Sequence, residues 1–235
     1  MVLILAKNTE EAWKRAVAAI WTQGNMLKTE DFGLSKEIVG LNVKIHNPTL
    51  GTDKVPAEYP FHGKALQDYI EQLMSAENKW AFEYTYGERL WSWTSETGQK
   101  INQIQAAIER LSASPQTRRA VCDLAMPFKD PFPEKIKDPP CLRIVGFLLR
   151  EQKPMPHLPA VKKLQTTVLF RSHDIFGASY ANWIALANLM KYVAAEISKR
   201  RGENILIGEL HNYSISAHFY EDNFEVAKKI AEGLK

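Results

Sequence analysis

Residues 181–198 read Ala-Asn-Trp-Ile-Ala-Leu-Ala-Asn-Leu-Met-Lys-Tyr-Val-Ala-Ala-Glu-Ile-Ser. Ile184, Leu186, Leu189, Tyr192, Val193 and Ile197 are spread round the whole helical turn rather than along one stripe. Such a helix has little polar face to offer water, so it is predicted to be long, central and buried. The segments flanking it run apolar or alternate, which predicts strands over Leu164–Phe170 and from Asn204 to Ser216. A buried helix between two strands is the unit around which the rest of the chain has to pack.

Working outward, Asn8 followed three residues later by Glu11 has the form of a helix N-cap with a capping-box partner. Ala12, Trp13, Ala16, Val17 and Ile20 continue it as an amphipathic helix that ends near Gly24. Lys36 to Ile45 alternates as a strand and is closed by Asn47-Pro48; Gly51 to Pro60 is a loop. A second helix is marked by Leu66, Tyr69, Ile70 and Leu73, and a third by Ile101, Ile104, Ile108 and Leu111. Arg119 to Leu124 reads as a buried strand, Met126 to Pro140 as a proline-rich loop, Leu142–Arg150 as a strand and Phe224 to Leu234 as a closing helix. There is no repeat or linker. Helices and strands in this mixture predict a single α+β domain over 1–235.

The 235 residues are enough for one sizeable core, and 45% hydrophobic with 24% charged is ordinary globular composition. A net charge of +3 gives no argument for DNA. No run approaches the ~20 apolar residues of a membrane span. Two cysteines, Cys122 and Cys141, make no disulfide framework and are expected to be thiols of a cytoplasmic protein.

Several residues have chemistry that local context leaves open. Cys141 follows Asp138-Pro139-Pro140, where two prolines restrict the chain at a strand mouth; by composition alone it is a core thiol, as is Cys122. Arg118-Arg119 after a proline turn suits a phosphate or a solvated turn. Arg171-Ser172-His173-Asp174 closes a strand, and its cation would suit an anion or lower a thiol pKa. Asn182 offers an amide to a heterocycle edge, or caps its helix. His211 and Tyr213 share one face of a strand. Tyr86-Gly87 is equally open.

Taken in order and spacing, these segments resemble the thymidylate synthase family, most strongly over residues 86–220. The matching stretches are Tyr86-Gly87, the helix leading to Thr117-Arg118-Arg119, Pro139-Pro140-Cys141, Arg171-Ser172-His173-Asp174, Asn182 and His211-Asn212-Tyr213. The resemblance implies a mixed β-sheet packed by helices, the sheet forming the interface of an obligate homodimer. It makes Cys141 the nucleophile at carbon 6 of a pyrimidine nucleoside monophosphate. Arg171 and Ser172 would hold the phosphate, with Arg118 and Arg119 reaching it from the partner chain. Asn182 would read the uracil edge, His211 and Tyr213 the sugar hydroxyl, Tyr86 the proton network and Asp174 the pterin. Thiolate addition turns carbon 5 into an enolate-like nucleophile. The one-carbon donor would be 5,10-methylenetetrahydrofolate or a methanopterin analogue, with no metal.

The N-terminal third departs from the common enzyme. Its arginine-rich phosphate loop is missing, with Lys28 or Lys36 as candidate substitutes, and Glu71 is the nearest candidate for its proton-relay glutamate. Phe170 stands where the family usually has glutamine. Trp80, Trp91 and Trp93 offer aromatic surface to shield an intermediate. This pattern resembles a short, archaeal-type branch. Reductive methylation of dUMP is the expected activity; 5-hydroxymethylation of CMP or dCMP, where water replaces hydride, is the alternative. A binding protein without activity and a Cys-His hydrolase are disfavoured by the intact Cys141 and arginine set and by the absence of a histidine tied to Cys141.

Overall fold

A computed structural model describes residues 2–29, 33–51, 54–79, 82–152 and 160–234. The strands are β1 (Val2–Ala6), β2 (Asn25–Lys28), β3 (Leu34–Ile45), β4 (Trp93–Thr94), β5 (Lys100–Ile101), β6 (Val121–Asp123), β7 (Leu142–Gln152), β8 (Val161–Asp174) and β9 (Ile205–Tyr220). The helices are α1 (Thr9–Gln23), α2 (Gly63–Met74), α3 (Tyr86–Trp91), α4 (Gln103–Ala113), α5 (Ser179–Arg201) and α6 (Phe224–Gly233). Seven strands form one mixed sheet in the order β1-β3-β9-β8-β7-β6, with β2 added to β3; β4 and β5 form a separate hairpin. This is the α+β domain the sequence predicts.

The centre of the sheet is a crossover. β8 and β9 pair in parallel, and α5 returns the chain between them. α5 is buried from Ser179 through Leu189 at every position except Asn188, because the sheet lies on one side of it and α1, α2 and α4 on others. α1 begins as expected: the Asn8 side chain accepts from Glu11 N at 2.9 Å. The Glu11 carboxylate reaches back to Lys7 N at 2.7 Å, one residue beyond the cap itself.

Several expectations are corrected. Ile101 is 40% exposed on β5 and is not part of the third helix, which starts at Gln103 under an Asn102 cap. The strand expected over Arg119 to Leu124 is only Val121–Asp123, and Cys122 alone faces the core, since it lies at the sheet's edge. Both central strands run past their predicted ends, β8 through Asp174 and β9 through Tyr220. They pair with each other over that extra length, which outweighs the weak local alternation. Helix α3 was not foreseen; its six residues are too few to show a period.

One face of the sheet is covered by helices and the other is not. On β9, Leu210, Asn212 and Ser214 face the core, whereas beyond Ile215 the buried apolar residues are Ala217 and Phe219. On β3 the buried set Leu41, Val43 and Ile45 likewise gives way to Ile38. The two strands turn over together at Gly40, whose φ of +76° suits only a residue without a Cβ. The uncovered face carries Val39 (71% exposed), Val121, Ile144 and Ile215.

Candidate active site

Cys141 sits where the proline loop enters β7, and its carbonyl accepts from Arg171 N at 2.8 Å. The loop is wrapped round the Arg171 guanidinium. Nε donates to Pro140 O at 3.2 Å, while Nη2 donates to Asp138 Oδ1 at 2.9 Å and to Pro139 O. Two further arginines brace the same region from below. Arg143 donates to Asp130 and to Pro140 O, and buried Arg89 donates to the other oxygen of Asp130 at 2.9 Å. Two cations share the one buried Asp130 carboxylate, and of the two Arg143 is felt at the sulfur.

The Cys141 thiol is pushed up by burial. Arg171 and then Arg143 oppose that shift, while Asp138 and Asp174 add to it. Cys122, by contrast, is fully buried without a cation and its thiol is pushed up to about 12, as expected for a core residue. The two cysteines thus differ in a way that counts for reactivity: only Cys141 has guanidinium groups favouring its thiolate.

Three tyrosines surround Cys141. Tyr84 lies against the Cys141 backbone amide and Tyr86 against that of Leu142, their rings 6.0 Å apart. Tyr69 comes from α2. Burial raises all three phenols, so they act here as neutral donors and acceptors. Together with Gln72, Phe82 and Asp138 they line a cavity of about 330 Å³, within the size range of small-molecule sites.

Asp174 ends β8. Its Oδ1 accepts from Gly177 N at 2.9 Å; a Cβ at Gly177 would lie 2.4 Å from Oδ2 and would displace the carboxylate. Burial raises the Asp174 carboxyl, against the pull of the Gly177 amide and His218. His218 is level with Asp174 in the parallel β8–β9 pair. Its Nε2 is 3.1 Å from the Tyr220 hydroxyl, and Nδ1 is 3.4 Å from Ser216 Oγ, which itself donates to Glu37. Burial lowers the His218 imidazole despite the Asp174 and Glu37 carboxylates. Ser172 is half-buried and level with Ser216.

Cys141, Arg171, Ser172, Asp174 and Tyr86 are therefore brought to one end of the sheet. Asn182 is close by on α5, buried and hydrogen-bonded to Tyr69 and His173. Arg118 and Arg119 are not there. Val121 pairs with Gly146, Phe147 N donates to Ala120 O, and Leu148 pairs with Gln165. That puts Arg119 level with Gln165, six residues from Arg171, or about 20 Å along the strand.

His211 and Tyr213 also miss the site. His211 is level with Thr167, about 13 Å from the level of Arg171. Its Nε2 is 3.3 Å from Glu209, a carboxylate that also binds Lys44 and His46 at 2.9 Å each. Tyr213 is level with Leu169 and its hydroxyl lies over Gly40. The His-x-Tyr pair beside Asp174 is His218-Phe219-Tyr220. That spacing occurs twice on β9, a repetition visible in the sequence.

Other expectations also move. Glu71 is exposed and its carboxylate accepts from Gln67 on its own helix; Tyr69 and Gln72 are the α2 residues that reach the site. Lys36 is occupied by Trp21 O and the Trp21 ring, and Lys28 is exposed on β2. Trp91 donates to Leu73 O and Trp93 to Ala125 O, so both indoles tie elements together; Trp80 lies outside the described residues. Phe82 is the aromatic side chain open to the cavity. Phe170 stacks on His173 at 3.8 Å.

A sequence profile of the family described as thymidylate synthase matches residues 4–232. Among similar proteins, one from Methanosarcina mazei is 35% identical over 99% of this chain and 95% of its own length. One from Methanothermobacter thermautotrophicus is 33% identical over 94% of each chain. One from Methanocaldococcus jannaschii is 32% identical over 97% and 96%. All three are provisionally named thymidylate synthases. The profile includes the N-terminal third, where the family's arginine-rich loop has no counterpart by motif. The chain belongs to the thymidylate synthase family.

Proposed function

We propose that this member of the thymidylate synthase family methylates carbon 5 of 2′-deoxyuridine 5′-monophosphate (dUMP) through a covalent adduct of Cys141 at carbon 6. The observation that carries the reading is Cys141 held against Arg171 and beside three tyrosines, Tyr69, Tyr84 and Tyr86, that line a cavity. Attack by the sulfur on carbon 6 breaks the 5,6 double bond and moves its electron pair to carbon 5 and the C4 carbonyl, which makes carbon 5 nucleophilic. Burial favours the protonated thiol, and Arg171 and Arg143 are the groups that oppose it and would stabilise the attacking thiolate.

Arg171 keeps Nε and Nη2 on the proline loop and has Nη1 left to bind a phosphate, with Ser172 beside it. His218 and Tyr220 replace His211 and Tyr213 as the pair for the sugar hydroxyl. Asn182 reads the base. Asp174, a half-buried carboxylate at the strand end, suits the donor-rich aminopyrimidinone edge of a pterin. A bound methylenetetrahydrofolate or methanopterin analogue would supply the carbon unit and the hydride. Tyr84 and Tyr86 hold protons and water next to the sulfur.

The same three phenols also suit a held water, which keeps 5-hydroxymethylation of CMP or dCMP as the second reading. Incubation of the protein with each nucleotide and a methylene donor, followed by mass measurement of the product, separates the two. dTMP from dUMP is expected; a hydroxymethyl product alone would replace the first reading by the second. Cys141→Ala should lose turnover and the covalent adduct with 5-fluoro-dUMP while still binding dUMP. Activity retained by that variant would end the nucleophile assignment.

The reading includes an obligate homodimer, placed in the cytoplasm, with one domain over 1–235. Its support is the uncovered apolar sheet face and the ~20 Å that separates Arg119 from Arg171 in one chain. No helix among the described residues is long and apolar enough to cross a membrane. If Arg118 and Arg119 serve the partner's site, a Cys141→Ala chain mixed with an Arg118→Glu/Arg119→Glu chain yields dimers with one intact site each. Activity regained on mixing two inactive proteins is the expected result; none regained would remove the shared site.

A further inference from the structure

Asn182 is 2% exposed, and both ends of its amide are held from within the protein. Oδ1 accepts from the Tyr69 hydroxyl, and Nδ2 donates to His173 Nε2 at 3.2 Å. His173 accepts in this way only as a neutral imidazole with its proton on Nδ1; the other tautomer would turn a hydrogen toward the amide nitrogen. Burial lowers that imidazole to about 3, so it is neutral throughout the working pH range. Its Nδ1 is 3.0 Å from Ser214 Oγ.

Beyond Ser214, which can accept the Nδ1 proton of His173, the chain continues to Asn212. Asn212 Nδ2 donates to Ser214 Oγ at 2.9 Å, and Asn212 Oδ1 accepts from the Trp183 indole at 3.1 Å. An indole only donates, so Asn212 has one orientation, and it presents an N–H to Ser214. The His173 ring is held flat on Phe170, their planes 3° apart. At the other end Tyr69 lines the cavity next to Cys141. None of His173, Ser214 and Asn212 touches the cavity, and Tyr69 alone of the four lines it.

We propose that Tyr69 and His173 are positioning residues that set base specificity by locking the Asn182 amide in one orientation. An amide has two N–H groups and two oxygen lone pairs, so one of each is left after Tyr69 and His173 are satisfied. A 4-oxo pyrimidine presents N3–H and a C4 carbonyl; a 4-amino pyrimidine presents the reverse order, a bare N3 and an N–H. A freely turning amide accommodates both by rotating through 180°. A locked one accepts the 4-oxo base and leaves buried groups unpaired against the 4-amino base, which is how polar sites discriminate strongly. The inference rests on Asn182 being the base reader.

The test is equilibrium binding of dUMP and dCMP to the full-length protein and to Tyr69→Phe. Wild type is expected to prefer dUMP, and Tyr69→Phe to narrow that preference about tenfold, the worth of one buried hydrogen bond. The readout is the ratio, because simple loosening of the pocket weakens both nucleotides alike. An unchanged ratio overturns the lock and leaves the Asn182 assignment standing. No preference in wild type overturns that assignment and the lock with it. Ser214→Ala, which frees the His173 tautomer without touching the pocket, carries the same expectation and serves if Tyr69→Phe does not fold.

Discussion

Strand β9 carries two His-x-Tyr sequences, His211-Asn212-Tyr213 and His218-Phe219-Tyr220, that are alike in residue type and spacing. The first faces Glu209, Lys44 and His46 on the open sheet face; the second lies level with Asp174, close to Arg171 and Cys141. Seven residues of extended chain separate them, about 23 Å. A side-chain pair is therefore worth nothing as a site until its level in the sheet is known. The burial contrast agrees: His218 is 8% exposed among carboxylates, while His211 is a half-exposed member of a surface ion cluster.

The contrast can be attacked from its anchor. Arg171 defines the level that makes His218 relevant, and Arg171→Met should cost over a hundredfold in kcat/KM, since it removes a charge from both sulfur and phosphate. Its sign is also set. Losing the cation that opposes burial raises the Cys141 thiol further, so the pH dependence of iodoacetamide alkylation should move to higher pH. An unmoved profile would mean that the guanidinium does not act on the sulfur.

Next in size is the direct comparison. His218→Ala should lower kcat/KM by roughly tenfold to a hundredfold through loss of a buried hydrogen bond to substrate. His211→Ala should change it by less than about threefold, as an exposed ion-pair partner does. Equal losses would return both histidines to candidacy. The smallest effect expected is from Gly40→Ala, where the strands turn over between the two pairs. Forcing a Cβ into φ +76° should cost roughly 1–2 kcal/mol in denaturant unfolding with little change in KM. A larger rise in KM would show that the turn also shapes the site.

Much of the site was legible. Cys141 after two prolines, Arg171-Ser172 and Asp174 are contiguous motifs, and a contiguous motif moves into place as a unit. Tyr86 was legible as part of Tyr86-Gly87 though its helix was too short to show a period. By residue type Glu71 is the proton-relay candidate on α2, but type does not give the direction a side chain faces. Helix α2 turns Glu71 outward and Tyr69 inward, a difference of two residues, or about 200° of rotation. The ends of β8 and β9 were missed for a similar reason: their last turns of alternation are weak, and pairing with a neighbouring strand holds them extended.

The sequence alone determined the buried helix α5, the strands beside it, the α+β class and the order of motifs that points to the family. These follow from periodicity and from short contiguous patterns, which need no partner to be expressed. Tertiary structure alone decided which His-x-Tyr pair stands at Asp174, which residue of α2 meets Asn182, and that Arg118 and Arg119 lie far from Arg171 within one chain. Each of these depends on strand register or on the rotation of a helix about its axis. Both are set by contacts between residues far apart in the chain, which no local pattern encodes.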